Sequence, residues 1–147
     1  MWLHFNIEGG DFTKAGAASS QVKKTLKQIN VNPLIIKRVV VALYEAEVNI
    51  VAHAYRGDIS VNIEPGQVHI ILADEGPGIP DIAQAMQKGF STASQKVREM
   101  GFGAGMGLPN IWENADTFEI TSEVNKGTTL DITISLQDNE PSLITNH

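Results

Sequence analysis

The chain contains no cysteine, so neither disulfides nor thiolate metal sites can hold it together, and the fold has to rest on its core. Long apolar runs are also missing: no stretch of about 18 apolar residues exists to cross a bilayer. The start MWLHFNIEGG lacks a basic segment followed by an apolar one, which a secretory signal would carry. A cytoplasmic location is the expectation. Positive charge is scarce as well. Lys and Arg number 11 against 17 Asp and Glu, a net charge of −6, whereas a nucleic-acid binder needs a basic face to neutralise phosphates. Neither nucleic acid nor a membrane is therefore an expected partner. No internal repeat is visible, and 147 residues suit one domain that buries about two-thirds of its unfolded surface. That domain is expected over residues 1–137, followed by a polar tail over 138–147.

What the chain does have is a long apolar helix, Val39 to Tyr55 (VVVALYEAEVNIVAHAY), with a few polar residues set into it. At about 100° per residue, Glu45, Asn49 and His53 lie one turn apart on one face, and Arg38 falls on the same stripe. A carboxylate and a carboxamide are costly to bury without partners. Either neighbouring groups or water satisfy them, or they face a cleft that holds a cation and a charged ligand. His53 reads as a capping or core hydrogen-bonding residue. Glu47 points nearly opposite to Glu45, among Ile36, Val40 and Leu43, and the sequence suggests no partner for it.

A short strand is expected over Met1–Ile7, then a helix over Ala15–Gln28 capped by Asp11 or Thr13. Asn32-Pro33 opens the long helix, which runs to Ala54. Tyr55 to Asp58 reads as a turn, and Ile59–Glu64 with Gln67–Ala73 as a hairpin around Pro65-Gly66. A short helix over Asp81–Lys88, a polar segment over Gly89–Gly101 and a helix over Leu108–Glu113 follow. Two strands, Asp116–Glu123 and Thr128–Leu136, close the chain. This order predicts an α+β fold, a two-layer α/β sandwich with a mixed, mostly antiparallel sheet and helices on one face.

Asp74 stands where the apolar strand HIILA meets Gly76-Pro77-Gly78. A carboxylate at a strand end can accept from an exocyclic amine, and glycines let a flat ring approach the backbone. The competing reading is an ordinary turn, in which Asp and Gly abound. Glycines 101, 103, 105 and 107 directly precede a helix. Free N–H groups at a helix start, with the positive end of its dipole, favour an anion. No window satisfies G-x-G-x-x-G, and no glycine is followed by Lys-Ser or Lys-Thr, so neither a dinucleotide fingerprint nor a P-loop is present. A flexible hinge is the alternative, but alternating glycines cost roughly 0.5–1 kcal/mol each, and a phosphate cradle is the favoured reading. Gly89 to Gly101 has the character of a lid, on which Lys96 and Arg98 could reach a terminal phosphate.

In order along the chain, E-x-x-x-N (Glu45 to Asn49), D-x-G-x-G (Asp74, Gly76, Gly78), G-x-G-x-G (Gly103, Gly105, Gly107) and G-T-T (Gly127 to Thr129) resemble the Bergerat ATP-binding fold. Gyrase, MutL and the histidine kinases share that fold. Each motif is weak alone; the four together, spanning about residues 38 to 135, are highly specific. Within the superfamily the chain looks most like the stand-alone anti-sigma factors and switch serine/threonine kinases. EAEVNIVAHAY is similar to that branch's helix, and GFSTA…GFGAGMGLPNI resembles its lid and second glycine box.

The resemblance implies ATP and Mg²⁺ as cofactors, with Asn49 coordinating Mg²⁺ and Glu45 acting as general base. It implies Asp74 on the adenine amine, Gly76 and Gly78 beside the ring, and Thr129 near the adenine. Gly101, Gly103, Gly105, Met106, Gly107 and Leu108 would surround the phosphates, with Lys96 and Arg98 near the terminal one. Phosphoryl transfer mainly needs a positioned nucleophile and neutralised oxygens, so few side chains suffice. Tyr44 stands where the branch carries Ser, which bears on a pocket wall or a partner surface.

The implied activity is that of a protein serine/threonine kinase in a partner-switching circuit. Its substrate would be a Ser or Thr on a STAS-type anti-anti-sigma protein, with a sigma factor as a further partner and a homodimer as the assembly. Two readings compete with it. One is a nucleotide-sensing module that sequesters a sigma factor or another regulator without transfer; the other is the detached ATP lobe of a split histidine kinase. His4, His69 and His147 sit in strand or tail contexts rather than on a dimerising helix.

Overall fold

The computed structural model describes residues 1–87 and 107–137. Five strands, β1 (Trp2–Glu8), β2 (Arg56–Ile63), β3 (Gln67–Glu75), β4 (Thr117–Glu123) and β5 (Gly127–Ser135), form one sheet in the order β1-β2-β3-β5-β4. All four pairings are antiparallel. Two of them are hairpins, which permit no other sense, so the sheet is not mixed among the described residues. Alternation decides its faces. Ile59, Val61, Ile63, Val68, Ile70, Leu72, Leu130, Ile132 and Ile134 are buried beneath the helices. The intervening residues, among them Asp58, His69, Thr129 and Asp131, make a polar outer face. There His69 Nε2 lies 2.7 Å from Asp131 Oδ1.

The described residues include the helices α1 (Ala17–Gln28), α2 (Pro33–His53), α3 (Ile82–Ala85) and α4 (Gly107–Asn114), of which α1, α2 and α4 contribute fully buried residues to the core over the inner face. α2 is the central one, flanked by α1 and α4. Asn32 caps it by accepting from the Leu34 N–H at 2.8 Å, and Pro33 occupies its first turn. Ile36, Val39, Leu43 and Ile50 anchor it in the core, each worth roughly 1.5–3 kcal/mol of burial.

Two local expectations fail. Asp11 and Thr13 do not cap α1; the Thr13 hydroxyl donates to Asp11 Oδ1 at 2.6 Å within a 3-10 turn, Phe12–Lys14. The cap comes from α2 instead. The buried Glu47 carboxylate accepts from the backbone N–H groups of Gly16 (3.0 Å), Ala18 (3.2 Å) and Ser19 (2.7 Å). A helix start offers free N–H groups and the positive end of the dipole, and an anion fits both. This accounts for Glu47, whose partners lie 28 to 31 residues away in sequence. Tyr44 belongs to the same junction: a Cβ on Gly16 would lie 3.5 Å from its ring.

Tyr55 to Asp58 is not a turn either, because Arg56, Gly57 and Asp58 pair with Glu75, Asp74 and Ala73. Gly57 permits it: a Cβ there would come within 2.6 Å of Ile50 Cδ1 and 3.2 Å of Asp74 Cβ. The strand therefore runs straight beneath the end of α2.

Candidate functional site

A cavity of about 200 Å³ opens between α2, the end of β3, α3 and the start of α4. Glu45, Asn49 and His53 line it from successive turns of α2, as their spacing requires. Asp74 enters from β3, Gly78 and Ile79 from the following turn, Gly107 and Leu108 from α4, and Thr128 from β5. Six residues singled out in the sequence (Glu45, Asn49, Asp74, Gly78, Gly107 and Leu108) thus meet in one place.

Gly76 stands behind that wall rather than in it. A Cβ on it would lie 3.0 Å from the Ala54 Cα, so its role is close packing against the end of α2. Thr129 does not line the cavity, whereas its neighbour Thr128 does. Leu130, Ile132 and Ile134 fix which face of β5 is inner, and by period two Thr128 shares it while Thr129 points to the outer face. Lys96, Arg98, Gly101, Gly103, Gly105 and Met106 lie outside the described residues. Arg38 is remote from the cavity: its Nε donates to the Asn114 carbonyl at 3.2 Å, and it pairs with Asp116 at 3.4 Å.

Two of the carboxylates that line the cavity, Glu45 and Asp74, are half-buried. Burial pushes the Glu45 pKa above its ordinary value, and a hydrogen bond from Asn110 partly opposes this. A Cβ on Gly107 would lie 3.3 Å from Glu45 Oε2, so a glycine keeps the space beside that oxygen open. Burial likewise raises the Asp74 pKa, opposed by the Thr128 N–H, which donates to Asp74 Oδ1 at 3.0 Å. The His53 pKa is lowered by burial, which favours the neutral ring.

Backbone contacts fix the turn after Asp74. The Gly76 N–H donates to the Lys126 carbonyl at 3.0 Å, and the Asn125 N–H to the Pro77 carbonyl at 2.9 Å. The Ile79 N–H donates to Ser122 Oγ at 2.7 Å. Gly78 has φ +75°, and a Cβ on it would strike the Glu123 carbonyl. Glycine is therefore demanded here by the β4–β5 hairpin, whatever the cavity holds.

Sequence reasoning missed Asn110, Thr128 and Ser122. Asn110 sits three residues after Gly107 on α4, the spacing that repeats a helix face. The strand alternation carried the signal for Thr128. Ser122 gave none, since its partners come from two separate segments, the turn at Ile79 and the start of β5.

The profile of the histidine kinase-like ATPase domain matches residues 11–134. The anti-sigma F factor of Geobacillus stearothermophilus is 42% identical over 92 residues, covering 58% of this chain and 60% of that one. The match thus spans less than two-thirds of that relative's length. The serine/threonine-protein kinase RsbT of Bacillus subtilis is 32% identical over 116 residues, covering 76% of this chain and 81% of that one. Among solved structures, the mycobacterial sensor histidine kinase MprB superposes with a TM-score of 0.52 at 15% identity, over 90% of this chain and 97% of that one. A chain of the SiaB-SiaC complex from Pseudomonas aeruginosa gives 0.56 at 12% identity, over 90% and 89%. These two likenesses concern the fold alone.

Proposed function

The chain belongs to the histidine kinase-like ATPase domain family, and from that premise we propose that it is an ATP- and Mg²⁺-dependent protein serine/threonine kinase of a partner-switching circuit. One observation carries the reading: Glu45 and Asn49 from α2, Asp74 from β3 and Gly107 from α4 converge on a single cavity.

The residues fit the ligands. Asp74 has Oδ1 engaged by Thr128 and leaves Oδ2 for an exocyclic amine. Asn49 offers one neutral oxygen beside Glu45, and no group of three or more His, Asp or Glu among the described residues could hold a metal alone. That suits Mg²⁺, which takes most of its ligands from phosphates and water. When bound, the metal and nucleotide supply the phosphoryl group and neutralise its oxygens. Glu45, with its raised pKa, serves as the base that takes the proton of an incoming hydroxyl.

The kinase and anti-sigma names of the relatives support a protein substrate. Its class would be a Ser or Thr on a STAS-type protein, with a sigma factor as a further partner, a homodimer as the assembly, and the cytoplasm as the setting. No helix among the described residues is long and apolar enough to cross a membrane.

Calorimetric titration with ATP, with and without Mg²⁺, is the first test. Mg²⁺-dependent affinity in the micromolar range, about −8 kcal/mol, is expected, and absence of binding in both conditions would sink the reading. A STAS-domain protein should then acquire an acid-stable phosphate. An acid-labile product would indicate transfer to His. A Glu45→Ala variant that keeps its regulatory effect would indicate sequestration without transfer.

A further inference from the structure

Ser122 lies on β4, just outside the residues that line the cavity, yet its hydroxyl meets three polar groups. The Ile79 N–H is 2.7 Å away, the Gly127 carbonyl 3.1 Å and the Thr128 hydroxyl 2.9 Å. A hydroxyl has one proton to give and two lone pairs to accept with. An amide N–H can only donate and a carbonyl can only accept. All three contacts are satisfied together only when Ser122 donates to Gly127 and accepts from both Ile79 and Thr128. The Thr128 proton then points at Ser122, and the hydroxyl of Thr128, a residue that lines the cavity, is left with only acceptor capacity for anything bound there. Asp74, held to the Thr128 N–H through Oδ1, is an acceptor as a carboxylate. Asp74 and the Thr128 hydroxyl therefore both offer the cavity acceptors rather than donors.

We propose that Ser122 is a specificity-determining positioning residue: by holding the Thr128 hydroxyl proton, it makes the cavity take an amino-substituted ring edge and reject an oxo-substituted one. The inference rests on the nucleotide reading above and adds to it the selection of a 6-aminopurine over a 6-oxopurine. An oxo group set against two acceptors gains no hydrogen bond and leaves buried lone pairs facing one another, which is the strong form of discrimination. With Ser122 removed, the Thr128 hydroxyl is free to turn and donate.

The test compares ATP with its 6-oxo analogue ITP, by calorimetry with Mg²⁺, on the full chain and on Ser122→Val and Ser122→Thr. Val and Thr share a shape and differ in the hydroxyl. The parent chain should prefer ATP; Ser122→Val should narrow that preference roughly tenfold, the worth of one hydrogen bond; Ser122→Thr should keep it. Equal weakening of both nucleotides by Ser122→Val would mark a merely structural role and overturn the proposal. So would a Thr variant as unselective as the Val variant. Should Ser122→Val fail to fold, Thr128→Val removes the same acceptor and must also narrow the preference; an unchanged ratio there overturns the proposal. A parent chain that binds ATP and ITP equally overturns it while leaving the nucleotide reading intact. A parent chain that binds neither removes both.

Discussion

On the α1 flank of α2, Glu47 is buried, and its carboxylate accepts three backbone N–H groups; on the other flank, Glu45 is half-buried at a cavity with Asn110 as its hydrogen-bond partner. The two residues are the same amino acid, two positions apart on one helix. Burying a carboxylate is unfavourable until fixed donors replace its water. Around Glu47 that replacement is built in, and the side chain locks α1 to α2. Around Glu45 it is incomplete, which leaves a carboxylate able to take up a proton. The difference shows how one helix serves as both framework and site, with the number of fixed donors deciding which.

The largest effect is expected at Glu47. Glu47→Ala orphans three N–H groups at the α1 start and should cost on the order of 3–5 kcal/mol; chemical denaturation measures it, and a loss below about 1 kcal/mol would refute the lock. Glu45→Gln should do the reverse, leaving stability within about 1 kcal/mol while lowering phosphoryl transfer roughly 10²–10⁴-fold, the usual worth of a general base. Parallel melting curves and transfer assays decide that; unaltered transfer would take Glu45 out of the chemistry. Gly107→Ala brings a methyl to 3.3 Å from Glu45 Oε2 and should weaken ATP binding roughly tenfold, about 1.4 kcal/mol, with little change in melting temperature. A variant that binds ATP normally would show that the space beside Glu45 is not used.

The smallest effect is in the pH dependence. The folded-state pKa values of Glu45 and Asp74 are raised by burial. Their protonation therefore contributes stability that is fully present below the unfolded-state values and is lost as pH rises through the folded ones. Glu45→Gln should flatten the part of that slope due to Glu45, which denaturation at stepped acidic pH can follow. Under the proposed base role of Glu45, transfer has the opposite sense: it would need the ionised carboxylate, so its acid limb should lie above the ordinary Glu value, with activity falling as pH drops through it.

Much of this was legible in the sequence because it rests on local periodicity. The 3.6-residue repeat placed Glu45, Asn49 and His53 on one face, and Asp74 followed from the junction of an apolar strand with a glycine turn. What was illegible depends on meetings between distant segments. Glu47 has partners that no spacing rule connects to it. Ser122 joins Ile79, 43 residues away, to Gly127 and Thr128 of its own hairpin. Thr129 is a different case: it stands on the outer face, and the alternation of β5 itself shows that Thr128 is the one turned inward. The strand start at Arg56 was hidden because Gly57 is read locally as a turn residue, while its use is to let β2 pass under Ile50.

The polar outer face of the sheet has a practical use. Thr121 and Thr129 are exposed neighbours on β4 and β5, on the side of the sheet away from the cavity. With no native cysteine in the chain, a single engineered thiol at either position would be chemically unique. A fluorophore or a surface tether attached there would report on the molecule, or hold it in a known orientation, with the cavity turned towards solution.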